Sequence, residues 1–237
     1  MAGLTYATYK ATLATLSVVP ETDPNWLEIL PSAIDYAELR IYRDLDLLQT
    51  VKKSYEYNCE PNTMNTNVPV GDFVTLQSIN VITPITALNP SDGTRNPLIP
   101  TSLNYLQYAY PNSAGSGVPQ FFAMIDQNSF ALGPWPDDAY MLEIVGTYRP
   151  ESLSSTNSHT FISLYLPDLF LMASMVFISG YQRNFGRQSD DPAMAQSYES
   201  QYQALLRGAT VEEYRKKFAA SGWTSISPSP VATVGRG

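Results

Sequence analysis

The sequence predicts an α+β protein: a helical bundle built from both ends of the chain, an inserted antiparallel β domain, and an extended C-terminal arm. Three observations carry this. Apolar residues recur at three- and four-residue spacing before residue 50 and again after residue 160, which is helical periodicity. Between about 68 and 150 the chain is rich in aromatic and β-branched residues bounded by Pro, Asn and Gly clusters, the pattern of strands joined by turns. After Gly222 neither pattern continues. The expected boundaries are residues 1–67 and 151–220 for the bundle, 68–150 for the β domain and 221–237 for the arm.

Leu4, Tyr6, Tyr9, Leu13 and Leu16 line one face of a first helix, which its threonines weaken. The clearest amphipathic helix follows, with Leu30, Ile34, Ala37, Ile41, Leu45 and Leu48 on one face and Asp35, Glu38, Arg40, Arg43, Asp44 and Asp46 on the other. Pro31 lacks an N–H and suits a first turn, so the helix is expected to begin there, after a separate turn at Trp26–Leu30. Strands are expected at 72–83, 103–110, 119–125, 129–134 and 140–149. FFAMI and SFALG, joined by Asp126, Gln127 and Asn128, read as a hairpin.

A polar linker containing His159 leads into an apolar helix, Leu166 to Phe185, with Pro167 and Asp168 in its first turn. Asp191 as N-cap and Pro192 at the first helical position open another, presenting Met194, Tyr198, Tyr202, Leu205 and Ala209 to a partner. Gly208 is expected to end it, and Thr210 with Glu213 forms a capping box for a short third helix.

Composition excludes several classes of function. The 14 residues between Asp168 and Arg183 carry no charge, but a membrane span needs about 20 apolar residues. No secretory signal is expected in MAGLTYATYKATLATL, which has no compact apolar core followed by a cleavage site. One cysteine, Cys59, allows neither an internal disulfide nor a multi-cysteine metal site. Net charge is −8, and the excess acid lies in residues 1–150, with 15 acids against 7 bases. A chain without a basic stripe does not neutralise phosphates, though its acidity suits a surface past which nucleic acid slides.

Catalytic parts are few. His159 is the only histidine, and no zinc-protease, nucleophile-elbow, P-loop or dinucleotide motif occurs. Asp137–Asp138 and Asp190–Asp191 read as turn and cap residues. A hydrolase working with two carboxylates is left open by composition, but nothing selects the pair. No catalytic residue, metal ligand or cofactor is therefore expected. The 16 tyrosines suit protein interfaces, and Trp223, Ile226, Val231 and Val234 suggest an arm that docks onto another chain.

In order along the chain stand Ala37, Glu38, Arg40 and Ile41; Gly133, Pro134 and Pro136; Tyr148 and Pro150; Leu166 and Pro167; and Tyr198, Tyr202 and Leu205. This succession resembles the adaptor, or head-to-tail connector, proteins of tailed bacteriophages, the group that includes tail tubular protein A of short-tailed phages. The resemblance implies a structural virion protein assembled in the host cytoplasm into a homo-oligomeric ring of twelve copies. The ring would sit at the head–tail interface, between the portal and the next tail or nozzle protein, with DNA passing through its lumen. It also implies that the bundle forms the ring body, that the arm inserts against the portal, and that the β domain faces outward or toward the tail. Glu28, Asp35 and Glu38 are then candidates to line the channel. The alternative is a tail-associated peptidoglycan hydrolase.

Overall fold

The structure, a computed structural model, describes residues 3–183 and 192–220. In chain order the helices are α1 (Tyr6–Leu16), α2 (Pro24–Asp44), α3 (Leu103–Ala109), α4 (Phe161–Tyr165), α5 (Pro167–Arg183) and α6 (Pro192–Ala220). The strands are β1 (Val51–Asn58), β2 (Asn65–Asn67), β3 (Thr75–Thr83), β4 (Thr94–Pro97), β5 (Ile99–Pro100), β6 (Phe121–Met124), β7 (Ser129–Gly133) and β8 (Met141–Thr147). The fold is α+β, as the sequence predicts. The chain divides into two compact units, Met1–Leu48 with Ser152–Gly237 and Gln49–Glu151.

In the helical unit, α5 packs against α1, α2, α4 and α6. Its apolar run is thus the middle of a bundle, with Phe170, Ala173 and Ser174 fully buried. The Tyr9 ring of α1 stacks on Phe170 at 4.3 Å, and the Tyr9 and Ser174 hydroxyls share a hydrogen bond at 2.5 Å. Thr5 and Thr8 cap α1 reciprocally, as Thr160 and Ser163 cap α4.

Two helix boundaries differ from the sequence reading. The second helix begins at Pro24, because Asp23 Oδ1 accepts from the Asn25 and Trp26 N–H groups and Pro24 fills the first turn. The longer start puts Trp26 on the same buried face as Leu30 and Ala33. Pro31 therefore lies inside the helix, and the Leu27 carbonyl that loses its partner faces an exposed turn. The second difference is in α6, which is one continuous helix through Gly208. The Thr210 hydroxyl donates back to Leu206 O and Glu213 turns inward, so the expected capping box does not form. Asp191, the expected N-cap, lies outside the described residues, as does the Met194 side chain.

In the β unit, the first sheet runs β1-β8-β3-β4 and is antiparallel throughout. The second runs β2-β7-β6-β5, with only β5 and β6 parallel. Ile79, Val81, Leu142 and Ile144 from the first sheet meet Phe122, Phe130 and Leu132 from the second in a shared core. The predicted β6–β7 hairpin is present, its turn held by Asp126 Oδ1 accepting from the Asn128 and Ser129 N–H groups. Residues 103–110, predicted as a strand, form α3. Ser102 caps this helix through Tyr105 N, and Leu106 alone among its residues is buried.

Strand β1 starts at Val51, ahead of residue 68, where the sequence reading opens the β region. It is an edge strand with only Ser54 buried, so it lacks a clear period-two apolar pattern.

Gly146 sits in β8 where a Cβ would lie 2.5 Å from Thr75 O and 2.7 Å from the Phe73 ring. Gly146→Ala is expected to cost about 2 kcal/mol in urea unfolding, because a backbone carbonyl cannot rotate aside as a side chain does. An unchanged midpoint would contradict this packing.

Candidate functional site

The Ala37–Glu38–Arg40–Ile41 run on α2 was the first element of the resemblance, and its four side chains have separate jobs. Ala37 and Ile41 are fully buried in the bundle. Arg40 reaches α6: its Nη2 donates to Glu199 Oε1 at 2.5 Å, and its guanidinium lies 4.1 Å from the Tyr202 ring centroid. Tyr202 OH donates to Asp44 Oδ2 at 2.7 Å, which closes the circuit back to α2. Arginine suits this place because one planar cation makes a hydrogen bond and stacks on a ring at once. The Arg40 hydrogen bond also holds the Glu199 carboxyl below its ordinary range.

Glu38 points the other way, into the bundle, and is 2% exposed. Its Oε1 accepts from Leu153 N at 3.2 Å, whereas its Oε2 makes no hydrogen bond among the described residues. Burial raises this carboxyl to about 7, opposed only in part by Ser152 and the Leu153 N–H. Of the three acids considered for a channel lining, Glu28 and Asp35 are exposed, but Glu38 is not available to any lumen. Glu38 stands four residues after Ile34 and three before Ile41, so helical phase places it on the inward face, and its charge alone suggests the polar side.

A cleft of about 150 Å³ lies between the end of α2 and α6, lined by Asp44, Leu45, Asp46, Thr210, Glu213, Tyr214 and Lys217. Its carboxylates are engaged. Asp44 takes the Tyr202 hydroxyl and lies 3.7 Å from Arg40 Nε, Asp46 pairs with Lys217, and Glu213 accepts from Lys216 at 2.7 Å and from Leu48 N at 3.1 Å. Two-carboxylate hydrolysis needs one carboxyl kept protonated beside substrate. Glu38 has the raised pKa, but it is not among the cleft's lining residues.

Sequence reading missed a third arrangement, centred on Glu143 of β8. This carboxylate, 1% exposed, meets Lys53 Nζ of β1 at 2.8 Å, Asn80 Nδ2 of β3 at 2.9 Å and Arg95 Nε of β4 at 3.1 Å. One acid thus ties together all four strands of the first sheet. Burial alone would raise its carboxyl, but the three donors outweigh burial and hold it below the ordinary range. The signal was a lone acid inside the apolar strand MLEIVGT, flanked on neighbouring strands by basic residues.

Cys59 is buried and its thiol is pushed up to about 11 by burial, which makes it a poor nucleophile. His159 is exposed, with Nδ1 2.7 Å from Ser158 Oγ. Asp137 accepts from Tyr140 OH at 2.7 Å, and Asp138 Oδ1 accepts from Ala139 N, as turn residues do. Asp190 and Asp191 lie outside the described residues, and so do Trp223, Ile226, Val231, Val234 and the rest of the expected arm. Among the described residues no group of three or more His, Cys, Asp or Glu is placed to hold a metal, and no helix is long and apolar enough to cross a membrane.

Residues 4–225 match the family model described as SU10 adaptor protein. No curated protein matches the chain.

Folding lifts the Glu38 pKa, so between about 4.5 and about 7 the folded state binds more protons than the unfolded one. Stability from this group therefore falls as pH rises through that window and is level above it. Against Glu38→Gln, which cannot titrate, the wild type is expected to lose on the order of 3 kcal/mol from about pH 4 to about pH 8. A stability difference that stays constant with pH would refute the raised proton affinity of this buried carboxyl. Glu143→Ala removes the shared acceptor of Lys53, Asn80 and Arg95, and is expected to cost about 1–3 kcal/mol in thermal unfolding.

Proposed function

The chain belongs to the SU10 adaptor protein family, a phage head-to-tail adaptor family, and on that premise we propose that it forms the ring joining the portal to the tail. The observation that carries this is the family match over nearly the whole chain. DNA passes through the ring of twelve copies without being bound. The net charge of −8 supports that reading, since an acidic wall repels phosphates and lets DNA move. Exposed Glu28 and Asp35 are the acids of α2 that suit such a wall.

The reading assigns the protein a structural, non-catalytic role at the head–tail interface of the virion. The helical unit forms the ring body, the β unit faces outward or toward the next tail or nozzle protein, and residues 221–237 dock on the portal. Trp223, Ile226, Val231 and Val234 supply the apolar anchors of that docking. The cell-wall hydrolase reading is favoured by no observation among the described residues, because the carboxylates of the cleft are already engaged.

Purified protein mixed with portal is expected to appear in electron micrographs as rings capping the portal. A protein that stays monomeric beside portal would overturn the assignment. Removing residues 223–237 is expected to leave the thermal unfolding midpoint of the rest unchanged while weakening portal attachment in co-sedimentation. Equal attachment by the truncated chain would remove the arm from the contact.

A further inference from the structure

The second sheet of the β unit and the helix that covers it contain no charged side chain. Strands β2, β5, β6 and β7 read NTN, IP, FFAM and SFALG, and α3 reads LNYLQYA. Along the chain the same gap runs unbroken from Asn96 to Ile125, between Arg95 and Asp126, in a protein where 15% of residues are charged.

This neutral stretch places exposed side chains on α3 and at the edge of the second sheet. Leu106 anchors α3 inward against Ala123 and Ala131, which leaves Tyr108 87% exposed, with Tyr105, Asn104 and Gln107 also exposed. Ile99, at the sheet edge and 58% exposed, is in register with Phe121, and the Phe121 ring meets Tyr105 edge-on at 6.0 Å. Parallel neighbours in register point to the same side, so Ile99, Phe121 and Tyr105 share the α3 side of the sheet. An exposed patch of tyrosines and aliphatics beside amides has the composition of a protein interface.

Charge selects the occupant. Two copies of a chain with net charge −8 repel through most surfaces they could present. A face without charge lets identical acidic chains meet without setting like charges opposite one another. Nucleic acid finds no cation on it. We propose that the α3–β5 face, centred on Tyr108 and Tyr105, is the surface through which one copy of this chain docks on a second copy. The proposal rests on the ring reading above and names one of the two surfaces that each subunit of a ring must present, since a ring contact is heterologous.

The test compares full-length wild type with Tyr108→Glu, by sedimentation and native mass spectrometry, with and without portal. Tyr108 is so exposed that the variant is expected to keep the wild-type unfolding midpoint. Half-assembly is expected to need at least about tenfold more of the variant, because the new carboxylate is brought against an acidic neighbour. A photo-crosslinker at position 108 is expected to join two copies of the chain. If wild type assembles and the variant assembles equally well, this face is not the contact, although the ring reading survives. If the crosslink lands on another tail protein, the occupant is wrong. If wild type never assembles, even with portal, the ring reading falls and this proposal with it.

Discussion

Two buried carboxylates hold the places where the chain leaves the helical unit and comes back to it. At the exit, Glu213 of α6 accepts from the Leu48 N–H; at the return, Glu38 of α2 accepts from the Leu153 N–H. The intervening segment, Gln49–Glu151, forms its own compact unit. Bringing the ends of about a hundred residues together costs about 4 kcal/mol of loop entropy before any contact is counted. A unit built from two distant pieces of sequence must offset that cost at its seam. Backbone N–H groups pinned by enclosed acids do so locally, and the stacked Tyr9 and Phe170 rings of α1 and α5 add to it across the core.

The three enclosed acids meet burial differently. Glu143 is surrounded by donors from three other strands, so its charge is welcome there. Glu213 has Lys216 beside it on the next turn. Glu38 has only Ser152 and the Leu153 N–H to favour its charge and no paired cation among the described residues, and burial accordingly dominates its proton affinity. For Glu38 and Glu143 both, burial opposes the charge, and the number of compensating donors sets the direction.

Much of the fold was legible in the sequence because long helices and alternating strands write their periods plainly. The α5 run, the β6–β7 hairpin, β3 and β8 all carry their pattern in consecutive residues. What was not legible depends on partners far away in sequence. The seven residues of α3 have the tyrosines and leucines of a strand, and only the Ser102 cap and the seat of Leu106 on the second sheet make them helical. Strand β1 owes its existence to pairing with β8, since its own side chains are largely exposed. Gly208 looked like a stop, yet α6 passes through it with open space beside its Cα. For the candidate site, residue identities were readable and their directions were not. The charge of Glu38 suggests the polar face although its spacing from Ile34 and Ile41 turns it inward, and Glu143 is hard to read because its four-strand network exists only after pairing.

The continuous α6 gives the helical unit a strut about 44 Å long at 1.5 Å per residue. Its first half is fastened to α2 by the Arg40–Glu199 and Tyr202–Asp44 contacts, and its second half to the segment after α2 by Glu213–Leu48 and Lys217–Asp46. Fastenings spread along one rigid helix share a load between them, so that no single contact bears it alone. A joint built that way yields late and all at once.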